Sequence, residues 1–577
     1  MVIYRNYKQT KKTSHQIAII EKLVGMAMPT RPDFYDIAIS LMIECGELET
    51  GITDYFCTDK DLINPQIEVC RSISMEAGAV IFSLWSEGVF LIDRWLNIKK
   101  SLSILKQMQL PEQITLNVPE GFVFYGLYPE VYLEATSEFI KEMKPEKTLV
   151  IGLRSIGTVL SALIGAHLQS VGCVVKTLTV RPRGHPFNRF LVLDEKIKNM
   201  IRQSTGYYVI IADEGPGLSG SSIGGTLSAV KSLNVPSNRT VIFPSWLPSG
   251  ERFISENARV LWNDYKKYTG SFENQWILNG KLERNLQKRL VYEISAGMWR
   301  SRFITEPSDF PPVHPHHERR KFMLVDNSEE KKNRWIAKFV GLGKYGASNV
   351  ERAQKLAEMG FTPSVDQLCN GFAVMPFVEG NVLKASDLDE SLIDFVKKYL
   401  LFIQKTMGAS LQVSYDQMFE MIYTNVKEGM GENWCRCLEK FTPETSSLYE
   451  EVAVAIDGRM MPHDFLKTGD RFVKVDHIEH HSDQFFHGVQ NICWDIAGFF
   501  VEFELDRRKR EHFLENFTSI DSFVNKRQQF FNIAYLAFRL GYVSLAADSL
   551  KGEPDAGRFE KLRKKYCTML KNELTEL

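Results

Sequence analysis

The pattern of apolar and polar positions divides this chain into three textures. Residues 1–112 carry helix start and stop signals and little else. Thr30-Arg-Pro-Asp33 has the composition of a helix start ahead of FYDIAISLMIECGELETGI. SMEAGAVIFSLW and VFLIDRWLNIKKSLSIL follow as further helices or a strand–helix pair. From Glu120 the texture changes. A helical stretch leads through Pro145 to the apolar run TLVIGL, the loop Arg154–Thr158, the helix VLSALIGAHLQSV and a second run, VVKTLTV. Further runs at Tyr207–Ile211 and RTVIFPSW continue the alternation. Strands alternating with helices at this spacing predict βαβ units and a parallel sheet, with ligands beyond the carboxyl ends of the strands. The loops after Gly152, Arg181 and Asp213 then converge on one site.

The last of these loops has the most distinctive chemistry. Asp213 and Glu214 end an apolar strand, and the ten residues from Gly215 to Gly224 hold four glycines and three serines ahead of a helix. Backbone N–H groups and a helix N-terminus in such a loop form a cradle for an anion. The spelling G-x-x-x-x-G-S from Gly215 to Ser221 lacks the lysine of a P-loop, and a plain Gly/Ser turn is the alternative. The arrangement resembles the phosphoribosyl-pyrophosphate loop of type I phosphoribosyltransferases, although Leu218-Ser219 and Gly217 depart from that family's usual residues. The resemblance implies that Asp213 and Glu214 hold ribose hydroxyls, while Leu218, Ser219, Gly220, Ser221 and Ser222 wrap the 5′-phosphate. It also implies that Arg154, Gly157 and Thr158 meet the pyrophosphate, under a mobile hood carrying Arg181, Arg183, His185 and Arg189.

A different pattern begins at Lys321. KFMLV, a polar turn and RWIAKFVGLG read as a β-hairpin, followed by the helix ASNVERAQKLAEMG and the apolar strand GFAVMPFVEG. This order resembles the N-lobe of protein-kinase-like folds, above all the aminoglycoside and choline phosphotransferase group. The resemblance implies that Lys338 contacts nucleotide phosphates and that Glu351 pairs with it. It places His463-Asp464 in the catalytic loop, Asp476 on the metal, and Asp495 of Trp494-Asp495-Ile-Ala497 in a structural role that holds that loop. His477, His480, His481, Asp483 and His487 crowd around Asp476 within twelve residues, as either a transition-metal site or a hydrogen-bonded polar loop. The cluster His314-Pro-His316-His317 lacks a Cys or acid at ligand spacing.

Composition narrows the classes. At 577 residues two to four domains are expected. Net charge is −1, from 70 basic and 71 acidic residues, so no global field points to nucleic acid or to a membrane. No run reads as a membrane span or a signal peptide, and nine scattered cysteines suit a reducing, cytoplasmic setting. The fold expected is α/β: a helical extension (1–112), a parallel-sheet phosphoribosyltransferase-like domain (113–260), a linker (261–320) and a bilobal α+β kinase-like domain (321–577). The expected ligands are phosphoribosyl pyrophosphate with Mg2+ and, in the second half, ATP. Arg154, Arg181 and Arg189 would stabilise the leaving pyrophosphate, and Asp464 would serve the kinase-like reaction. The alternative is a nucleotide-sensing regulatory or defence protein that binds a nucleotide or ribose phosphate without turnover. Residues 1–112 would then carry a homo-oligomer or protein contact.

Overall fold

The structure is a computed structural model that describes the chain apart from residues 6, 27–30, 32, 90, 218, 328–332, 442–451 and 519–521. Part of the Thr30–Asp33 start signal and Leu218 of the Gly/Ser loop lie outside the described residues. The result is a mixed α/β fold containing a parallel sheet.

The apolar runs after Glu146 form that sheet. Its spatial order is Val174–Val180, Lys147–Leu153, Tyr208–Ala212, Thr240–Phe243, Lys266–Lys267, every pair parallel. Alternate side chains go to opposite faces, as pleating requires. Val150, Ile210 and Val241 join the core beneath the N-terminal helices, while Leu149, Ile151 and Val209 join a separate cluster. Burial on both faces is why these strands read as unbroken apolar runs. The chain moves from Lys147–Leu153 to one side, then crosses to Tyr208–Ala212 on the other. The loops after Leu153 and Ala212 therefore flank a topological switch point.

Residues 1–112 are built into this core. Strand Lys8–Lys12 pairs antiparallel with Gln113–Asn117, and helices Phe34–Phe56 and Pro65–Ser86 pack with helix Ile156–Ser170. Two glycines permit the contact: a Cβ at Gly46 would stand 2.1 Å from Val159 Cγ2, and one at Gly78 would stand 2.8 Å from the Ala162 carbonyl carbon. One apolar cluster runs from Ile17 to Val374 without a break. VFLIDRWLNIKKSLSIL yields the helix Ile92–Leu105.

The second half begins with a five-stranded antiparallel sheet, ordered Lys288–Glu293, Lys321–Asp326, Arg334–Phe339, Phe372–Pro376, Gln367–Cys369. The expected hairpin is its centre, with Lys321 opposite Lys338. Sheet structure crosses the expected segment limits on both sides. Lys266–Lys267 extends the parallel sheet beyond 260, and Lys288–Glu293 joins the second sheet before 321. A small sheet, Asn381–Val382, Phe465–Thr468 and Arg471–Lys474, then carries the loops of the cleft. Helices Glu390–Thr406, Tyr415–Met430, Cys493–Glu502, Val524–Ser549 and Pro554–Thr575 surround it. Val524–Ser549 is long and apolar enough to cross a membrane, which the sequence reading overlooked, but 78% of its most apolar window is buried inside the fold. Val2 and Asn425 exchange hydrogen bonds of 2.6 and 2.8 Å, so the first residues are fastened to the helical half.

Candidate functional site in the interlobe cleft and at the sheet edge

Lys338 lies on the strand Arg334–Phe339, 4% exposed, with its ammonium aimed into the cleft. Its carboxylate partners are Asp476 and Glu479, the latter at 2.6 Å. Burial acts to depress the Lys338 ammonium, but these two acids outweigh it and raise its pKa. Glu351 is not a partner, contrary to the sequence reading. It is exposed and pairs with Lys355 at 3.1 Å on its own helix. The reason is helical phase. On Lys344–Glu358 the buried positions are Gly346, Asn349, Arg352, Ala353 and Leu356, which leaves 351 outside. The inward charge is Arg352, which donates to the carbonyls of Ala455 (2.9 Å), Ile456 (2.9 Å) and His477 (2.8 Å).

Those carbonyls bracket a loop whose key acid the sequence reading missed. The Asp495 carboxylate accepts the backbone N–H groups of Asp457 (2.6 Å) and Gly458 (2.8 Å). The loop it holds therefore starts at Asp457, seven residues before Asp464. The sequence signal was the apolar-acid-glycine step AIDG ahead of the strand Phe465–Thr468. Burial, with Asp457 nearby, raises the Asp495 carboxyl to about 7. The Asp457 side chain is fully buried. It accepts the Tyr399 hydroxyl, closes a turn onto the Arg459 N–H at 3.1 Å, and lies 3.4 Å from Lys474 Nζ.

Asp464 and Asp476 face each other across one guanidinium. Arg459 reaches Asp464 Oδ2 with Nε at 3.0 Å and Asp476 Oδ2 with Nη1 at 3.3 Å. Burial raises Asp464 to about 6 despite Arg459 and Lys474. Burial acts the same way on Asp476, but Lys338, Lys321 and Arg459 outweigh it and hold that carboxyl well below its usual range. His463 accepts from Arg459 Nη2 at 3.1 Å and stacks on Trp299, while burial and then Arg459 push its pKa well down. Neutral His463 is thus a wall of the site. Together the four acids Asp457, Asp464, Asp476 and Glu479 meet the three cations Lys338, Arg459 and Lys474. The cleft opens into a cavity of about 740 Å3 whose far wall includes Arg539, Tyr542, Phe559 and Tyr566.

At the edge of the parallel sheet the expected anion site is only partly assembled. Burial raises the Asp213 carboxyl to about 6, and burial with Glu120 and Asp213 raises Glu214 well above its usual range. Glu214 accepts the Gly121 N–H at 2.6 Å. Gly220 adopts φ 63°, the left-handed geometry that turns the chain into helix Ser221–Ser232. Ser219 and Ser221 share a hydrogen bond of 3.0 Å, Ser221 Oγ donates to the Pro186 carbonyl at 2.5 Å, and Ser222 sits in the first turn. The hood is a hairpin, Arg183–His185 with Asn188–Phe190, folded down on this helix. A Cβ on Gly225 would lie 2.2 Å from the Arg189 carbonyl oxygen.

The arginines expected to meet pyrophosphate are otherwise engaged. Arg154 has no side-chain exposure and pairs with Asp61 and with Asp54, the latter at 2.9 Å. Burial would depress its guanidinium, but Asp61 and Asp54 raise it instead. Arg181 also pairs with Asp54, Arg183 donates to the Cys57 carbonyl at 2.8 Å, and Arg189 to the Pro182 carbonyl at 3.1 Å. Thr158 is buried against Thr50 at 3.0 Å, and Gly157 abuts the Ala212 carbonyl. Arg154, Arg181, Arg183 and Thr158 thus fasten the N-terminal helices to the sheet, which corrects their assignment to a ligand, while Arg189 braces its own hairpin and Gly157 packs on the sheet.

No family model and no curated protein matches this chain. Among solved structures it is similar to choline kinase LicA from Streptococcus pneumoniae, at 13% identity and a TM-score of 0.32, over 51% of this chain and 98% of that one. A choline/ethanolamine kinase family protein from Mesorhizobium loti matches at 14% identity and 0.32, covering 44% of this chain and 88% of that one. Choline kinase from Cryptosporidium parvum matches at 12% and 0.33, covering 49% and 96%. The likeness spans about half of this chain and gives no support to a phosphoribosyltransferase domain. At such TM-scores it carries no argument about activity, which must come from the cleft itself.

Proposed function

We propose that the cleft between the antiparallel sheet and the helical half is a nucleotide-dependent phosphotransferase site. The observation that carries this reading is the Asp495 clamp on the Asp457–Gly458 backbone, which sets Asp457 and Asp464 beside the Lys338–Asp476 pair. Lys338 supplies charge for nucleotide phosphates, and Asp464 and Asp476 would hold a divalent ion, which neutralises phosphate charge when bound. The donor set fits such an ion, because the buried carboxylates of Asp464 and Asp476 converge on one position, which the Arg459 guanidinium fills at 3.0 and 3.3 Å. Asp457 would accept the proton of an acceptor hydroxyl in this reading, once Lys474 and Tyr399 release its buried carboxylate. Arg459 occupies the space between the two metal acids, so ligand entry must exchange a guanidinium for the ion.

The test is the thermal unfolding of the full chain with ATP and Mg2+. Ligand at about 100 times its Kd adds about 2.7 kcal/mol. The shift should need both ATP and Mg2+ and should vanish in Asp464→Asn. A wild-type protein indifferent to ATP with Mg2+ would sink the reading.

A second reading concerns the sheet edge. Asp54 and Asp61 hold Arg154 and Arg181, so this edge is better suited to retaining a ribose phosphate ester than to expelling pyrophosphate. Asp213, Glu214 and Ser219–Ser222 would bind it as a regulatory ligand, in keeping with a sensor. Calorimetry with ribose 5-phosphate and with phosphoribosyl pyrophosphate decides: no heat with either removes the site.

A further inference from the structure

Three ligand atoms in the cleft belong to one sequence step, of which the phosphotransferase reading uses only Asp476. Asp476, Glu479 and His480 follow one another at i, i+3 and i+4, and the turn His480–Ser482 folds them onto one side. His480 Nε2 lies 3.7 Å from Asp476 Oδ2 and 3.9 Å from Glu479 Oε1, and one donor atom from each residue falls within 4.8 Å of the others. The His480 side chain is 7% exposed and that of Glu479 is 2% exposed. Yet among the described residues His480 Nε2 and Glu479 Oε2 have no hydrogen-bond partner. A buried ring nitrogen and a buried carboxylate oxygen left unmatched on adjacent residues are costly unless something binds there. All three residues also line the cavity, so a fourth coordination position opens toward it.

We infer that Asp476, Glu479 and His480 form a nucleotide-independent site for a borderline first-row divalent cation of the Co2+ to Zn2+ type. The chemistry that selects it is the imidazole. Mg2+ favours an all-oxygen shell and keeps its water, whereas nitrogen ligation suits the later first-row ions. An open fourth position is the pattern of sites that hold water or substrate on the metal. Lys338 is the built-in competitor, since its ammonium already sits on Asp476 and Glu479, with Arg459 on Asp476 Oδ2 and Arg319 3.9 Å from Glu479 Oε1. The cation must share these carboxylates, which weakens the site and links its occupancy to the position of Lys338.

The inference shares Asp476 with the phosphotransferase reading, and the experiment separates them. Full-length protein stripped with chelator is titrated with Co2+, Zn2+ and Mg2+ in the absence of nucleotide, by calorimetry and by the visible absorption of bound Co2+. One equivalent of Co2+ or Zn2+ should bind at least tenfold tighter than Mg2+. His480→Ala and His480→Gln should each weaken Co2+ by at least tenfold, while Lys338→Met should tighten it. Glu479→Gln serves if the His480 variants fail to fold. Equal affinity for Co2+ and Mg2+, or Co2+ bound unchanged in a folded His480 variant, overturns the site. If either occurs while the shift by ATP with Mg2+ survives, the phosphotransferase reading stands without it.

Discussion

Replacing Lys338 with methionine is the most informative single perturbation of the cleft. Methionine keeps most of the stem and removes the ammonium, so the packing loss is small and the electrostatic loss dominates. Asp476 retains Arg459 at 3.3 Å, but among the described residues the nearest remaining cation to Glu479 is Arg319, at 3.9 Å. One buried carboxylate is then nearly uncompensated, and breaking a buried pair in this way costs about 3–5 kcal/mol. Protonation relieves the defect. Moving from about pH 7.5 to about pH 4.5 makes protonating a carboxylate cheaper by about 4 kcal/mol, at about 1.4 kcal/mol per pH unit. The sign follows from linkage. In wild type the depressed Asp476 contributes stability above its unfolded pKa that is lost as pH falls. In the variant an unpaired acid has a raised folded pKa, so stability falls as pH rises. Only the second effect acts between about pH 4.5 and about pH 7.5, because the first is already complete above the unfolded pKa, so the gap between the proteins widens from acid to neutral pH. Urea unfolding of the full chain should show a deficit of about 3–5 kcal/mol near pH 7.5 and about 1 kcal/mol near pH 4.5. A deficit below about 1 kcal/mol at neutral pH, or one equal at both pH values, refutes the assignment of Lys338 as the charge that holds Glu479.

The helix beside the cleft offers a paired control. Glu351→Ala should change stability by no more than about 0.5 kcal/mol, as for an ordinary surface position, whereas Arg352→Ala strips a charged donor from three carbonyls and should cost about 3 kcal/mol or more. Urea midpoints that reverse this ranking would contradict the helix phase. At the sheet edge, a raised Asp213 makes wild type lose stability as pH rises from its unfolded pKa through about 6. Asp213→Asn should therefore gain about 2 kcal/mol relative to wild type between about pH 4 and pH 7, the full effect being reduced by residual contact with water. Parallel stability curves for the two proteins would show that Asp213 titrates normally.

What the sequence by itself determined was local. Unbroken apolar runs marked the strands of a doubly covered sheet, and KFMLV with RWIAKF marked the hairpin that carries Lys338. The Gly/Ser loop marked the entry to a helix, and Asp495 stood where it could hold a loop. Even the exclusion of Glu351 was legible, because Ala353 and Leu356 set the buried face of its helix. Tertiary structure alone decided which charges meet. Arg154 lies 100 residues from Asp54, Lys338 lies 138 residues from Asp476, and Arg352 reaches carbonyls more than 100 residues away. Hydrophobic period tells which side of an element faces inward, but carries no information about which buried ion a neighbouring element presents there. A buried charge must find a counter-charge or a hydrogen bond wherever packing allows. Arg154 and Arg181 therefore suit pyrophosphate when read along the chain, and in the folded protein they hold the N-terminal helices to the sheet.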